Sequence, residues 1–312
     1  RFVGPNCAGM LNTHANLYAT LEAAPPKGNV ALLSQSGSIG GIFMSWANEH
    51  SLGISKFVSY GNSLDWSVID YLDYLKDDPE TDVIALYVEQ IQNGRQFMHT
   101  MKQVTQKKPV VIIKSGKTAA GSRATMSHTG SMAGEDHVND AALKECGAMR
   151  VDSVAEMFNL CKALATMPLV KGNKILLVTN SGGPAIMACD KAEELGLNVE
   201  EPAAELKERL SKFLPPHASL RNPIDITVEG TPEWYEKTLL EALPEYDAAL
   251  AVYVGTPYLD SMPVAHALAN AAKITGKPIL TNFYVGTDIK ESLDYLREHG
   301  IPNYTTGEQS VW

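Results

Sequence analysis

Residues 30–54 read VALLSQSGSIGGIFMSWANEHSLGI, and residues 175–199 read ILLVTNSGGPAIMACDKAEELGLNV. Each begins with a short apolar run of strand length, breaks at a Ser-Gly turn, and continues as a segment with helical spacing of its apolar residues. Ser36 and Gly37 fall on Ser181 and Gly182. The match continues downstream: GNSLD at 61–65 aligns with RNPID at 221–225, TDVIALYVEQI from Thr81 with YDAALAVYVGT from Tyr246, and KPVVIIK from Lys108 with KPILTNF from Lys277. Self-similarity at this scale predicts two copies of one α/β unit in tandem.

Working outward, near-continuous apolar runs recur at VALLS (30–34), VIALYVE (83–89), VVIIK (110–114), KILLVT (174–179), AALAVYV (248–254) and PILTNFY (278–284). Runs of this kind fit strands buried on both faces, and the amphipathic stretches between them fit helices. The alternation predicts parallel sheets covered by helices on both sides. Pro and Gly in MPLVKGNK (167–174) set the domain boundary there, giving 28–168 and 169–312 as the two units and 1–27, ending in AAPPKG, as a tail and linker. The chain has 312 residues, has no initiator Met, and starts as if at the end of a strand, so it reads as a piece of a longer protein.

A net charge of -10, with no cluster of five or more Lys/Arg, argues against nucleic acid or an anionic membrane surface as the main partner. No apolar stretch has the length of a membrane span. Cys7, Cys146, Cys161 and Cys189 form no C-x-x-C pair and no metal-ligand spacing, so they read as buried thiols of a reducing compartment, the cytoplasm, with no metal site.

Chemistry is expected where a strand opens into a helix. The turns Ser36-Gly37-Ser38 and Ser181-Gly182-Gly183 combine free backbone N–H groups, the positive helix end and side chains small enough for an anion to approach. Either turn alone is equally explained by the steric demand of a tight bend. Their recurrence at equivalent positions favours anion binding.

His128 lies in GSRATMSHTGSMAG (121–134), after the strand ending at Lys114 and hence beyond a carboxyl end of the sheet, where open α/β sheets bind ligands. Gly121, Gly130 and Gly134 predict a mobile loop around an accessible imidazole, suited to act as a nucleophile toward phosphorus or as a general base. Glu89, a carboxylate closing an otherwise apolar strand, emerges from the same edge and suits the role of orienting acceptor.

The motifs GPNCAG (4–9), LLSQSG (32–37), YGNSLD (60–65), LYVEQI (86–91), KSGKTAAGSRATMSHTGSMAG (114–134), TNSGGPAI (179–186) and NPIDIT (222–227) run in an order that resembles the α subunit, or α-like half, of nucleoside-diphosphate-forming acyl-CoA synthetases, relatives of succinyl-CoA synthetase. The resemblance spans essentially the whole chain. It implies two tandem flavodoxin-like domains preceded by the tail of a truncated CoA-binding domain. It further implies that His128 is the phosphorylated histidine, that Glu89 holds it, and that the two Ser-Gly turns grip the phosphoryl group. Asn6 and Cys7 would border the pantetheine of CoA.

ATP or ADP with Mg2+ would be bound by an ATP-grasp subunit or domain that this sequence lacks. The substrate would be a small carboxylic acid and the assembly an oligomer. Two other readings use the same scaffold: a CoA-sensing regulatory half of a protein lysine acetyltransferase, in which the histidine is often replaced, and a silent core that only docks partners.

Overall fold

The computed structural model describes residues 1–129, 135–256, 259–284 and 289–312, without side chains at 126–129. The chain forms two compact units, Arg1–Ala165 and Thr166–Trp312.

Unit 1 is built on a seven-stranded sheet. In chain order its strands are β1 (Gly9–Asn12), β2 (Leu17–Thr20), β3 (Lys27–Ser34), β4 (Ile54–Ser59), β5 (Val83–Val88), β6 (Val110–Lys114) and β7 (Met149–Arg150), arranged β2-β1-β4-β3-β5-β6-β7. From β4 to β7 all neighbours are parallel. Period-two alternation inside the apolar runs sends Val30, Leu32, Val83 and Ala85 to one core and Ala31, Leu33, Ile84 and Leu86 to the other. Burying each large aliphatic side chain of these strands contributes about 1.5–3 kcal/mol.

The helices are α1 (Gly37–Glu49), α2 (Val68–Lys76), α3 (Gly94–Thr105), α4 (Ala119–Thr129), α5 (Asp136–Glu145) and α6 (Val154–Thr166). Phe43 and Met44 of α1 and Phe158 of α6 fill the first core, while Leu72 of α2, Phe97 of α3 and Leu143 of α5 fill the second. Gly40 lets α1 approach β4 closely, since a Cβ there would meet the Phe57 ring at 2.8 Å.

Two features differ from the sequence reading. Residues 1–27 are not a linker: β1 and β2 form an antiparallel hairpin, and β1 pairs antiparallel with β4. The backbone edge of β4 is thereby satisfied and Leu11 is buried in the first core. The stretch around His128 is also not loop up to Thr129, because α4 carries it; no Pro or Gly interrupts 122–129. Residues 130–134 lie outside the described residues.

Unit 2 repeats the plan with β8 (Ile175–Thr179), β9 (Ile224–Asp225), β10 (Ala248–Val254) and β11 (Ile279–Tyr284) in the order β11-β10-β8-β9, all parallel. Its helices are α7 (Gly182–Glu194), α8 (Ala204–Ser211), α9 (Pro232–Ala242), α10 (Ser261–Thr275), α11 (Ile289–Glu298) and α12 (Gly307–Val311). Leu206, Tyr235, Leu268 and Leu296 from α8 to α11 pack on Leu176, Val178, Ala249 and Ala251.

In each unit the first parallel strand, β3 or β8, lies between the second and third, so the winding direction reverses there. That topological switch point opens a crevice at the carboxyl edge of the sheet.

At the end of unit 1 away from that crevice, Lys56 of β4 is 6% exposed and donates to Asp78 Oδ2 (2.6 Å) and Glu80 Oε2 (2.8 Å). Thr81 Oγ1 donates to Asp78 (2.6 Å), and His14, in the β1–β2 turn, lies 3.5 Å from Glu80. Burial opposes ionisation of Asp78, but its bonds from Lys56 and Thr81 prevail and hold the carboxyl below its ordinary value. Asp78→Asn removes one of the two carboxylates that face the buried ammonium, and a loss of about 1–3 kcal/mol in urea-unfolding free energy is expected. Because the folded-state value is depressed, the wild-type advantage is present above the ordinary carboxylate range and fades as pH falls below about 4.

Candidate functional site

The two Ser-Gly turns stand at the two switch points. Ser34 closes β3, and its Oγ donates to the Ser36 carbonyl (2.6 Å); Ser36 then caps α1, its side chain accepting from Ile39 N at 3.4 Å. In unit 2, Thr179 Oγ1 donates to the Ser181 carbonyl (2.7 Å) and accepts from Ser181 N (2.9 Å), and Ser181 is the N-cap of α7. Ser181 makes no side-chain cap bond. Neither helix has an acidic residue in its first turn, so both positive ends stay uncompensated from within. Ser38 and Gly183 are exposed, and a Cβ at Gly183 would meet nothing within 4 Å.

The residue between hydroxyl and turn reaches across the switch point in both units. Gln35 Oε1 accepts from Glu89 N (2.8 Å) and Gln90 N (3.0 Å), just past the end of β5. Asn180 Oδ1 accepts from Val254 N (2.8 Å) at the end of β10, and its Nδ2 donates to Val254 O (2.9 Å). Glu89 and Val254 are equivalent in the sequence repeat. One hydroxyl–amide–Ser-Gly cassette is therefore folded twice. Neither amide was singled out from sequence, although S-Q-S-G over T-N-S-G stood in the aligned repeat.

Glu89 is 7% exposed. Around it, Tyr60 Oη donates to the Tyr87 carbonyl (2.9 Å), and Lys114 Nζ donates to the Glu89 carbonyl (2.8 Å) and the Ser115 carbonyl (2.7 Å). Burial, aided by the Glu89 charge, pushes the Tyr60 phenol well above its ordinary value. His128 belongs to the last turn of α4, but its side chain lies outside the described residues.

The GPNCAG segment borders the same edge of unit 1. Ala8 N donates to Ser59 Oγ (3.0 Å), a Cβ on Gly37 would lie 3.3 Å from the Ala8 methyl, and Asn62 N and Leu64 N donate to the carbonyls of Pro5 and Gly4, both at 3.0 Å. Gly61, at φ +53, could hold no side chain, since its Cβ would meet Asn6 O at 2.2 Å. Asn6 is exposed and Cys7 half-buried, so Cys7 is not the buried thiol expected from sequence; Cys189 is likewise only half-buried. Asn6 Nδ2 is 3.4 Å from Asn62 Oδ1.

At the unit-2 edge, Asp225 Oδ1 accepts from Thr227 N (2.9 Å), and its Oδ2 stands 3.2 Å from where a Gly182 Cβ would be. Thr227 adopts φ 68, uncommon for a β-branched residue. Among the described residues no group of three or more His, Cys, Asp or Glu is arranged to hold a metal ion, and no helix is long and apolar enough to cross a membrane.

Comparison with known proteins gives these edges a family. Residues 27–164 match the model of the succinyl-CoA ligase like flavodoxin domain, and residues 175–311 that of the ligase-CoA domain. The α subunit of an ADP-forming acetate–CoA ligase II from Pyrococcus furiosus is 40% identical over 99% of this chain and 68% of its own length. An ADP-forming acetate–CoA ligase from Methanocaldococcus jannaschii is 36% identical, with this chain spanning 45% of it.

The structure of the dinucleotide-forming acetyl-coenzyme A synthetase 1 of Ca. Korarchaeum cryptofilum, in complex with phosphate and ADP, superposes with a TM-score of 0.94 at 35% identity, covering 99% of this chain and 68% of that one. These relatives are all ligases or synthetases, which leaves the acetyltransferase reading without support. The repeated switch-point cassettes, the two domain matches and full-length similarity agree: the chain belongs to the ADP-forming acyl-CoA synthetases, a family of acid–thiol ligases, as an α-subunit-like part.

Proposed function

We propose that the chain interconverts acyl-CoA, phosphate and ADP with the free acid, CoA and ATP, through an acyl phosphate and a phosphohistidine at His128. Phosphate attacks the thioester carbonyl and expels the CoA thiolate. The imidazole of His128 then attacks phosphorus and releases the carboxylate. ADP finally takes the phosphoryl group from the P–N bond, so each step exchanges one bond for another with no redox change.

In this reading Glu89 accepts from the second imidazole nitrogen and keeps the attacking one unprotonated. The helix starts at Ser36-Gly37-Ser38 and Ser181-Gly182-Gly183 bind phosphoryl oxygens through backbone N–H groups during transfer. Asn6 and Cys7 border the pantetheine arm, and their segment's packing against α1 fits such a boundary. A partner ATP-grasp subunit or domain supplies the nucleotide with its Mg2+, and a CoA-binding domain preceding residue 28 completes the thiol site. The functional domains run 28–168 and 169–312, in a cytoplasmic oligomer.

The observation that carries this reading is the cassette at two switch points, one of them beside the buried Glu89. The test is to assemble the chain with its nucleotide-binding partner, incubate with γ-labelled Mg-ATP, and map the label. Acid-labile, base-stable label on the peptide containing His128 is expected. Label elsewhere, or none, sinks the proposal.

A further inference from the structure

Lys114 closes β6 and is 5% exposed. Its ammonium donates to two backbone carbonyls, Glu89 O (2.8 Å) and Ser115 O (2.7 Å). Burial, together with the neighbouring Arg150 charge, lowers its pKa from the ordinary lysine value; Asp136 and Glu89 act in the opposite direction. Arg150 itself is engaged by Asp136 (2.5 Å) and Asp140 (3.3 Å) of α5. Taking an ammonium out of water in this way opposes folding, so its retention calls for a reason.

Unit 2 shows that the fold does not require it. In the repeat, Lys114 falls on Phe283, an apolar residue 5% exposed that packs on Tyr253 with ring centroids 4.8 Å apart. The strand-end residue Val254 has both backbone groups satisfied by the single amide of Asn180. At Glu89 the same two groups are divided: Gln35 takes the N–H and Lys114 takes the carbonyl. The same backbone problem has a neutral solution in one unit and a charged one in the other. The charged one occurs where the repeat also exchanges valine for the carboxylate of Glu89.

We propose that Lys114 is a positioning residue for phosphoryl transfer, fixing the peptide unit of Glu89 and supplying a buried positive charge at the carboxyl edge of β5 and β6. The inference rests on the phosphohistidine reading. Lys114 acts through Glu89, which would touch the reacting imidazole.

The test uses the assembled enzyme and rapid-quench phosphoenzyme formation from Mg-ATP. Lys114→Gln, neutral but still a donor, is expected to slow formation roughly tenfold or more, the scale of a misplaced catalytic group. Its KM for ATP should stay within about twofold and its Tm should not fall. Lys114→Arg, which keeps the charge, is expected to recover most of the rate. On a Glu89→Gln background, Lys114→Gln should add nothing, as expected of residues acting as one unit.

Wild-type rates in Lys114→Gln, equal losses in Lys114→Gln and Lys114→Arg, a Tm lowered in step with the rate, or full additivity on Glu89→Gln would each overturn the inference. Such outcomes leave the phosphohistidine reading standing if the wild type is labelled. An unlabelled wild type overturns both.

Discussion

His128→Ala is expected to remove all acid-labile label from the chain and to lower turnover at least ~10³-fold, because in the proposed mechanism its imidazole is the group that accepts the phosphoryl group from the acyl phosphate. The fold should not suffer. The stretch 122–129 is helical and alanine is the best helix former, so thermal stability is expected to match the wild type or exceed it slightly. The informative companion is the partial reaction. In the proposed mechanism, formation of acyl phosphate from acyl-CoA and phosphate does not use the imidazole, so it should persist in the variant and be trapped with hydroxylamine. Loss of both half-reactions would assign His128 to substrate binding instead of phosphoryl transfer.

Gly183→Asp is expected to separate stability from function even more sharply. Its Cβ meets nothing within 4 Å, and it belongs to the first turn of α7, where an acidic side chain favours the helix dipole by about 0.3–1 kcal/mol. Replacing glycine also narrows the unfolded chain's conformational freedom, a smaller gain in the same direction. Tm should therefore rise. Yet the new carboxylate competes for the N–H groups assigned to phosphoryl oxygens and repels the phosphoryl charge there, so phosphoenzyme turnover is expected to fall about 10²–10³-fold. Gly183→Ala is the control: it should raise Tm without that loss. If Gly183→Asp keeps full activity, the α7 turn is only a bend, and phosphate recognition rests on the α1 turn alone.

Much of this was legible in the chain. The apolar runs of β3, β5, β6, β8, β10 and β11 announce themselves, because a strand buried on both faces needs no partner residue to be recognised. Strand β4 escaped notice since Ser55 and Lys56 interrupt its apolar pattern. Lys56 is buried only because Asp78 and Glu80, more than 20 residues downstream, receive its charge. Strands β7 and β9, two residues each, are too short to carry a period. The hairpin of residues 1–27 could not be foreseen either, because an antiparallel addition to β4 depends on where that strand's free edge lies.

The candidate site divides the same way. Ser36, Gly37, Ser181 and Gly182 were readable because a strand-to-helix turn restricts the residues that fit it, and Glu89 because a carboxylate contradicts the apolar run it ends. Gln35, Asn180 and Lys114 carry no such local signal, because their roles depend on backbone groups of other strands.

The sequence by itself determined two tandem α/β units, their repeat, and the Ser-Gly turns that open α1 and α7, since those follow from the chemistry of adjacent residues. Only the tertiary structure decided which strand ends adjoin, and hence that Gln35 and Lys114 hold the two sides of one Glu89 peptide while Asn180 alone holds Val254. Side-chain bonds across a switch point join segments 25 to 74 residues apart, and no local pattern records the pairing of groups so distant along the chain.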